Sequence, residues 1–103
     1  MTTSSRLDLH EELCTILGSR NVYFQPPASV QMKYPAIVYS RKKPETRFAN
    51  NSVYASLLCY EVTVIDKNPD SEIVVKLFNR PLTSFDRHYK ADNLNHDTFT
   101  LYH

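Results

Sequence analysis

The chain contains a single glycine among its 103 residues, and this scarcity removes one class of function. Phosphate-binding loops of the P-loop and dinucleotide-binding types need several glycines close together, so Gly18 alone cannot build one. Cysteine is also scarce, with Cys14 and Cys59 as the two examples. Because the N-terminal residues lack the apolar core of an export signal, we expect both to be reduced core residues rather than a disulfide.

The chain also lacks a dominant charge and a long apolar run. The chain has twelve Lys and Arg residues and eleven Asp and Glu residues, which gives a net charge of +1. This balance argues against a dedicated nucleic-acid binder and removes the self-repulsion that keeps highly charged proteins apart. No apolar run approaches membrane-spanning length, so we expect no membrane association. A hydrophobic content of 42% predicts one globular domain over residues 1–103, made in cytoplasm.

A helix is predicted between Ser5, a suitable N-cap, and Gly18, which suits the left-handed C-cap position. Its apolar residues recur at helical spacing at Leu9, Leu13, Ile16 and Leu17. A second helix is predicted to begin at Asp70 or Ser71 and to end before Pro81. One face of this second helix is expected to hold Ile73, Val74, Leu77 and Phe78.

Five segments have the composition of strands: residues 22–24, 36–39, 52–65, 84–89 and 96–102. With the two helices, their order is α-β-β-β-α-β-β. This order predicts an α+β domain with a mainly antiparallel sheet, and with the N-terminal helix and the second, short helix packed on one face. The predicted core cluster consists of Leu13, Ile16, Leu17, Val38, Val62, Val64, Ile73, Leu77 and Phe99.

Histidine and aspartate residues near the C-terminal end are the candidate catalytic or metal-binding groups: His88, His96, His103, Asp86, Asp92 and Asp97. Neighbours on a strand point to opposite faces, which separates His96 from Asp97. His88 and Asp86 are predicted to share a face, but one pair is too small a set for a metal ion. We therefore expect no catalytic, metal-binding or cofactor-binding residue. A small hydrolase using Asp86, His88 and His96 is the alternative from a different class.

Positive charge is concentrated between the second and third predicted strands, in residues 41–51. A connection of this length in a small domain is typically functional or mobile. We therefore predict a protein–protein interface formed by Arg41, Lys42, Lys43, Arg47, Phe48, Asn50 and Asn51. The same basic residues leave a small nucleic-acid-binding regulator as a further alternative.

Several segments together resemble neck proteins of long-tailed bacteriophages, of the tail-terminator or tail-completion kind. They are the N-terminal helix, residues 34–39, 49–51 and 60–66, the helix from Ser71, and residues 84–102. The resemblance implies a structural virion protein, assembled in host cytoplasm, that forms a hexameric ring. Such a ring ends the tail tube, meets the head connector and passes double-stranded DNA. It implies no active-site residue, and a head-closure or adaptor subunit remains an alternative within the same assembly.

Overall fold

The computed structural model describes residues 5–43 and 57–103, without the side chain of Ser5. Two helices lie in these ranges, α1 (Ser5–Leu17) and α2 (Glu72–Phe78). The strands are β1 (Val22–Phe24), β2 (Ala36–Arg41), β3 (Cys59–Asp66), β4 (Thr83–Ala91) and β5 (Leu94–Tyr102). The predicted order of elements is confirmed for the described residues. β3 begins at Cys59, later than predicted, and residues 52–56 of the predicted strand lie outside the described ranges.

The strands form one five-stranded sheet in the order β1-β2-β3-β5-β4. Three of its four pairings are antiparallel, and β1 pairs with β2 in parallel. The sequence did not predict this parallel pair. It arises because residues 25–35 bring the chain back to the end of the sheet where β1 began, as a parallel connection requires. The α+β class and the mainly antiparallel sheet are confirmed.

The ends of both helices follow local chemistry. Gly18 has φ +84° and donates its N–H to the carbonyl oxygen of Cys14 at 2.8 Å, which confirms the predicted C-cap of α1. At α2 the hydroxyl of Ser71 accepts a hydrogen bond from the backbone N–H of Ile73 at 3.2 Å. Ser71, rather than Asp70, is therefore the N-cap. The α1 helix begins at Ser5, whose predicted capping side chain lies outside the described residues.

A two-residue turn joins β4 to β5, shorter than the connection expected from the sequence. Asp92 and Asn93 both have positive φ, +54° and +62°. Two consecutive residues of this conformation form the type I′ turn, whose twist matches that of an antiparallel hairpin. The tight turn lengthens both strands beyond their predicted ends.

The core lies between the two helices and one face of the sheet. Six predicted members are buried there: Leu13, Val62, Val64, Ile73, Leu77 and Phe99. Ile16 and Leu17 are partly buried and pack against this cluster. The prediction for Val38 is wrong, because Ile37 and Tyr39 face the helices and successive strand residues point to opposite sides. Phe78 is also not a core residue, since it is 55% exposed.

Two buried tyrosines on the core face differ in their hydrogen bonds. The hydroxyl of Tyr39 lies 2.8 Å from Nδ1 of His10 and accepts a hydrogen bond from Arg6 Nη1 at 3.4 Å. The hydroxyl of Tyr60 is buried and has no hydrogen-bond partner among the described residues. A buried hydroxyl without a partner destabilises the folded state, whereas a paired one stabilises it.

Tyr60→Phe is therefore expected to leave the free energy of unfolding unchanged or to raise it by about 1 kcal/mol. Tyr39→Phe serves as the matched change and should lower it by about 1 kcal/mol, because two hydrogen bonds are lost. Urea unfolding of both variants beside the wild type measures the difference. A Tyr60→Phe variant as destabilised as Tyr39→Phe would show that the Tyr60 hydroxyl has a partner.

The contact between His10 and Tyr39 also predicts a dependence on pH. Burial, followed by the positive charge of Arg20, lowers the pKa of His10. The unfolded chain then takes up a proton at this histidine more readily than the folded chain. The contribution of His10 to the stability of the fold is therefore present above the ordinary histidine pKa of about 6.5. This contribution decreases as the pH drops below that value.

We expect the stability difference between wild type and His10→Gln to shrink from about pH 8 to about pH 5.5, on either side of the ordinary pKa. Thermal unfolding of both proteins across this range measures it. Comparing the two at each pH cancels the titration of the other histidines. A difference that stays constant with pH would contradict the effect.

Candidate interaction surface

The first part of the predicted interface lies at the end of β2. Arg41 is the last residue of that strand, and both Arg41 and Lys43 are exposed. Lys42, between them, is only partly exposed and points to the sheet face opposite the helices, called here the second face. The other predicted interface residues lie outside the described residues: Arg47, Phe48, Asn50 and Asn51.

Lys42 is held on the second face by a chain of polar contacts. Its Nζ donates to Oγ1 of Thr100 at 2.7 Å and lies 3.7 Å from Oδ2 of Asp86. The Thr100 hydroxyl, which is buried, in turn donates to Asp86 at 2.7 Å. Lys42 therefore anchors the end of β2 to β4 and β5. Arg41 and Lys43 remain as the positive groups that a partner can reach.

The prediction that Asp86 and His88 share a face is wrong. The pairing of β4 with β5 shifts register between Phe85 and Arg87, which is a β-bulge. A bulge adds one residue to one strand and reverses the alternation after it. Asp86 consequently contacts Thr100 on the second face, whereas His88 lies on the helix face with Nδ1 2.7 Å from Oδ1 of Asp97.

The remaining candidate groups are also held apart. His96 is on the second face, where its ring stacks on Tyr89 with centroids 4.7 Å apart. Asp86, His88 and His96 therefore have different partners and form no common site. Within residues 5–43 and 57–103, no three His, Cys, Asp or Glu side chains come close enough together to hold a metal ion.

Both cysteines are buried thiols, as predicted. Cys14 lies in the core beneath α1, and burial raises the pKa of its thiol. A raised pKa reduces the thiolate fraction, which is the nucleophilic form. Burial and the raised pKa therefore disfavour Cys14 as a nucleophile.

An open groove that the sequence did not predict lies where β5 ends and β4 begins, with a volume of about 540 Å³. Helix α1 contributes Asp8 and Glu12, and Leu57 and Leu82 form apolar walls. Arg80 lies at its base with its side chain 9% exposed, and donates from Nε to Glu12 Oε2 at 2.7 Å. Asp8 and Glu12 are one helical turn apart in the sequence. This spacing is the signal from which their position on one face of α1 could have been predicted.

A third surface lies along β4, one of the two edge strands of the sheet. Six consecutive residues, 85–90, are exposed. Phe85 is 39% exposed and Phe78 is 55% exposed, and their ring centroids lie 5.3 Å apart. An edge strand offers unpaired backbone groups, and exposed aromatic rings beside it are typical of contact surfaces.

Comparisons with protein-family models, with curated proteins and with solved structures gave no match for this chain. Among the described helices, none combines the length and the apolar composition needed to cross a bilayer.

Proposed function

We propose that this chain is a structural virion protein of long-tailed bacteriophages, of the tail-terminator kind. Its copies form a ring, a hexamer in this proposal, that ends the tail tube and joins it to the head connector. Its protein partners are other copies of itself, the tail tube protein and the head-closure or connector protein. Double-stranded DNA passes through the lumen without stable binding.

The observation that supports this proposal most directly is the difference between the two edges of the sheet. β4 presents a long exposed edge with Phe78 and Phe85 beside it, whereas the opposite edge is the three-residue strand β1. A subunit in a closed ring uses two different surfaces, because each contact is head-to-tail. Two unlike edges on one small domain fit this requirement.

Charge is consistent with the proposed passage of DNA. A net charge of +1 offers few uncompensated cations, and strong phosphate binding would slow transit. Lys42 is already close to Asp86, and Arg80 is paired with Glu12. These two cations are thus compensated inside the subunit.

Deleting residues 43–48 is expected to impair neck assembly, because this segment belongs to the proposed contact region. Electron microscopy of virions from a phage that carries the deletion should show tails unjoined to filled heads, or tails of irregular length. The matched control replaces the same residues with a Ser/Gly segment of equal length, which separates loss of side chains from shortening of the connection. Normal tails on filled heads from both variants would contradict a role in assembly.

Light scattering after size-exclusion chromatography, with and without the tail tube protein, tests the ring itself. A discrete six-fold mass supports the proposal. A chain that stays monomeric in both mixtures and shows metal-dependent hydrolytic turnover would instead favour the small hydrolase.

A further inference from the structure

Basic and acidic residues lie on different sides of α1, with Arg6 as the charged group on the basic side. Arg6 and His10 are one turn apart, as are Asp8 and Glu12, and the two pairs are offset by two residues. At about 100° per residue, this offset places the pairs about 200° apart around the helix axis. Arg6 and His10 face β1 and β2, where both contact the Tyr39 hydroxyl. Asp8 and Glu12 face the groove on the other side.

The basic side, defined here by Arg6, Arg41 and Lys43, extends from α1 to the ends of β1 and β2. The guanidinium of Arg6 lies 4.5 Å from the centre of the Phe24 ring at the end of β1. The backbone N–H of Arg41 donates to Oε1 of Gln25 at 3.2 Å, which places Arg41 beside the same end. Arg41 and Lys43 are exposed, and neither has an ion-pair partner within the described ranges.

The side of α1 with Asp8 and Glu12, called here the acidic side, can bind a further cation. Asp8 is exposed and has no ion-pair partner in the part of the chain that the structure describes. Glu12 is half-exposed and its charge is compensated by Arg80, which also lines the groove, so Asp8 carries the unpaired negative charge there. The apolar walls at Leu57 and Leu82 suit the aliphatic stem of a lysine or arginine.

The two sides lie at the same end of the sheet. Arg41 pairs with Tyr60, and the next residue along, Cys59, pairs with Tyr102, which borders the groove. Along the strand direction, the basic side and the groove therefore lie at the same end of the sheet. Across the sheet, they are separated by the width of several strands. An arrangement of copies side by side around an axis roughly parallel to the strands could bring the basic side of one copy to the groove of the next.

We propose, building on the ring proposed above, that neighbouring copies contact head-to-tail here, with Arg41 and Lys43 of one copy seated against Asp8 and Glu12 of the next. The occupant of the groove is thus a second copy of this chain. Complementary charge fixes the direction of the contact, and unlike surfaces are what a closed ring needs.

Disulfide cross-linking of the full chain tests the direction of the contact. The double variant Asp8→Cys/Lys43→Cys should, on oxidation, give a ladder of dimer, trimer and larger species on a non-reducing gel. Each single-cysteine variant serves as the control and should stop at dimer, while Cys14 and Cys59 remain buried. Dimers alone from the double variant would indicate a two-fold contact and overturn the inference. A cross-link confined to the monomer, or none at all, would also overturn it.

Charge reversal tests the energetics. Asp8→Lys and Lys43→Glu should each raise the concentration needed for half-assembly by about tenfold or more, and their combination should restore it. Lys67→Glu, at an exposed lysine beyond the opposite end of β3, is the matched control and should leave assembly unchanged. Circular dichroism of each variant confirms that it is folded.

The outcomes separate this inference from the function on which it rests. If the wild type forms a ring and both charge-reversal variants assemble equally well, the proposed contact is overturned and the proposed function stands. A wild-type chain that gives neither ring nor ladder, even with the tail tube protein, would overturn both.

Discussion

Replacing Leu13 by alanine is expected to lower the free energy of unfolding by about 2–5 kcal/mol, because it leaves a cavity in a closed core. Leu13 has no exposed surface and lies in the cluster between α1 and the sheet. Leu77→Ala in α2 should fall in the same range, since Leu77 is also fully buried in that cluster. Urea or thermal unfolding measures both changes.

Leu7→Ala provides the control for Leu13→Ala. It makes the same chemical change in the same helix, but Leu7 is 53% exposed. Its effect should stay within about 0.5 kcal/mol, as for ordinary surface positions. Equal losses of stability at Leu7 and Leu13 would mean that the apolar face of α1 is not the face described above.

Replacing Arg80 by alanine is expected to have the second large effect. Its Nη1 donates to the carbonyl oxygens of Pro81 and Tyr102, at 2.9 and 3.3 Å, and its Nε donates to Glu12. These bonds connect α1, the segment after α2 and the end of β5. Removing one partner of a buried ion pair costs about 3–5 kcal/mol. Because the Glu12 side chain is 38% exposed and regains water, we expect the lower end, about 3 kcal/mol.

Arg20→Ala is the matched control, since Arg20 also pairs with a glutamate of α1. The side chains of Arg20 and Glu11 are 69% and 64% exposed, and solvent screens such pairs. Little change in melting temperature is expected there. Arg80→Lys should remain destabilised, because an ammonium group cannot reproduce the planar set of donors. Full stability of Arg80→Ala would show that these bonds contribute nothing net.

The candidate site was only partly predictable, and the reasons differ from residue to residue. The exposure of Arg41 and Lys43 follows from composition, because long charged side chains at a strand end remain in water. The attachment of Lys42 to Thr100 and Asp86 depends on residues far apart in the chain. The groove beneath Asp8 and Glu12 likewise forms only when α1 meets the start of β4 and the end of β5.

Features that depend on neighbouring residues in the chain follow from the amino-acid sequence alone. Helical spacing and local caps placed α1 and α2, with Gly18 and Ser71 at the predicted boundaries. Composition and alternation placed the strands, and their order predicted the α+β class.

Tertiary structure decided what depends on distant segments. The face that Val38 occupies was decided by the register of β2 against β3. The separation of Asp86 from His88 was decided by one bulge in β4. A shift of one residue moves every following side chain to the other face, and the energy that selects it comes from packing across the sheet. That energy depends on contacts between distant segments, so neighbouring residues alone do not predict which face these side chains occupy.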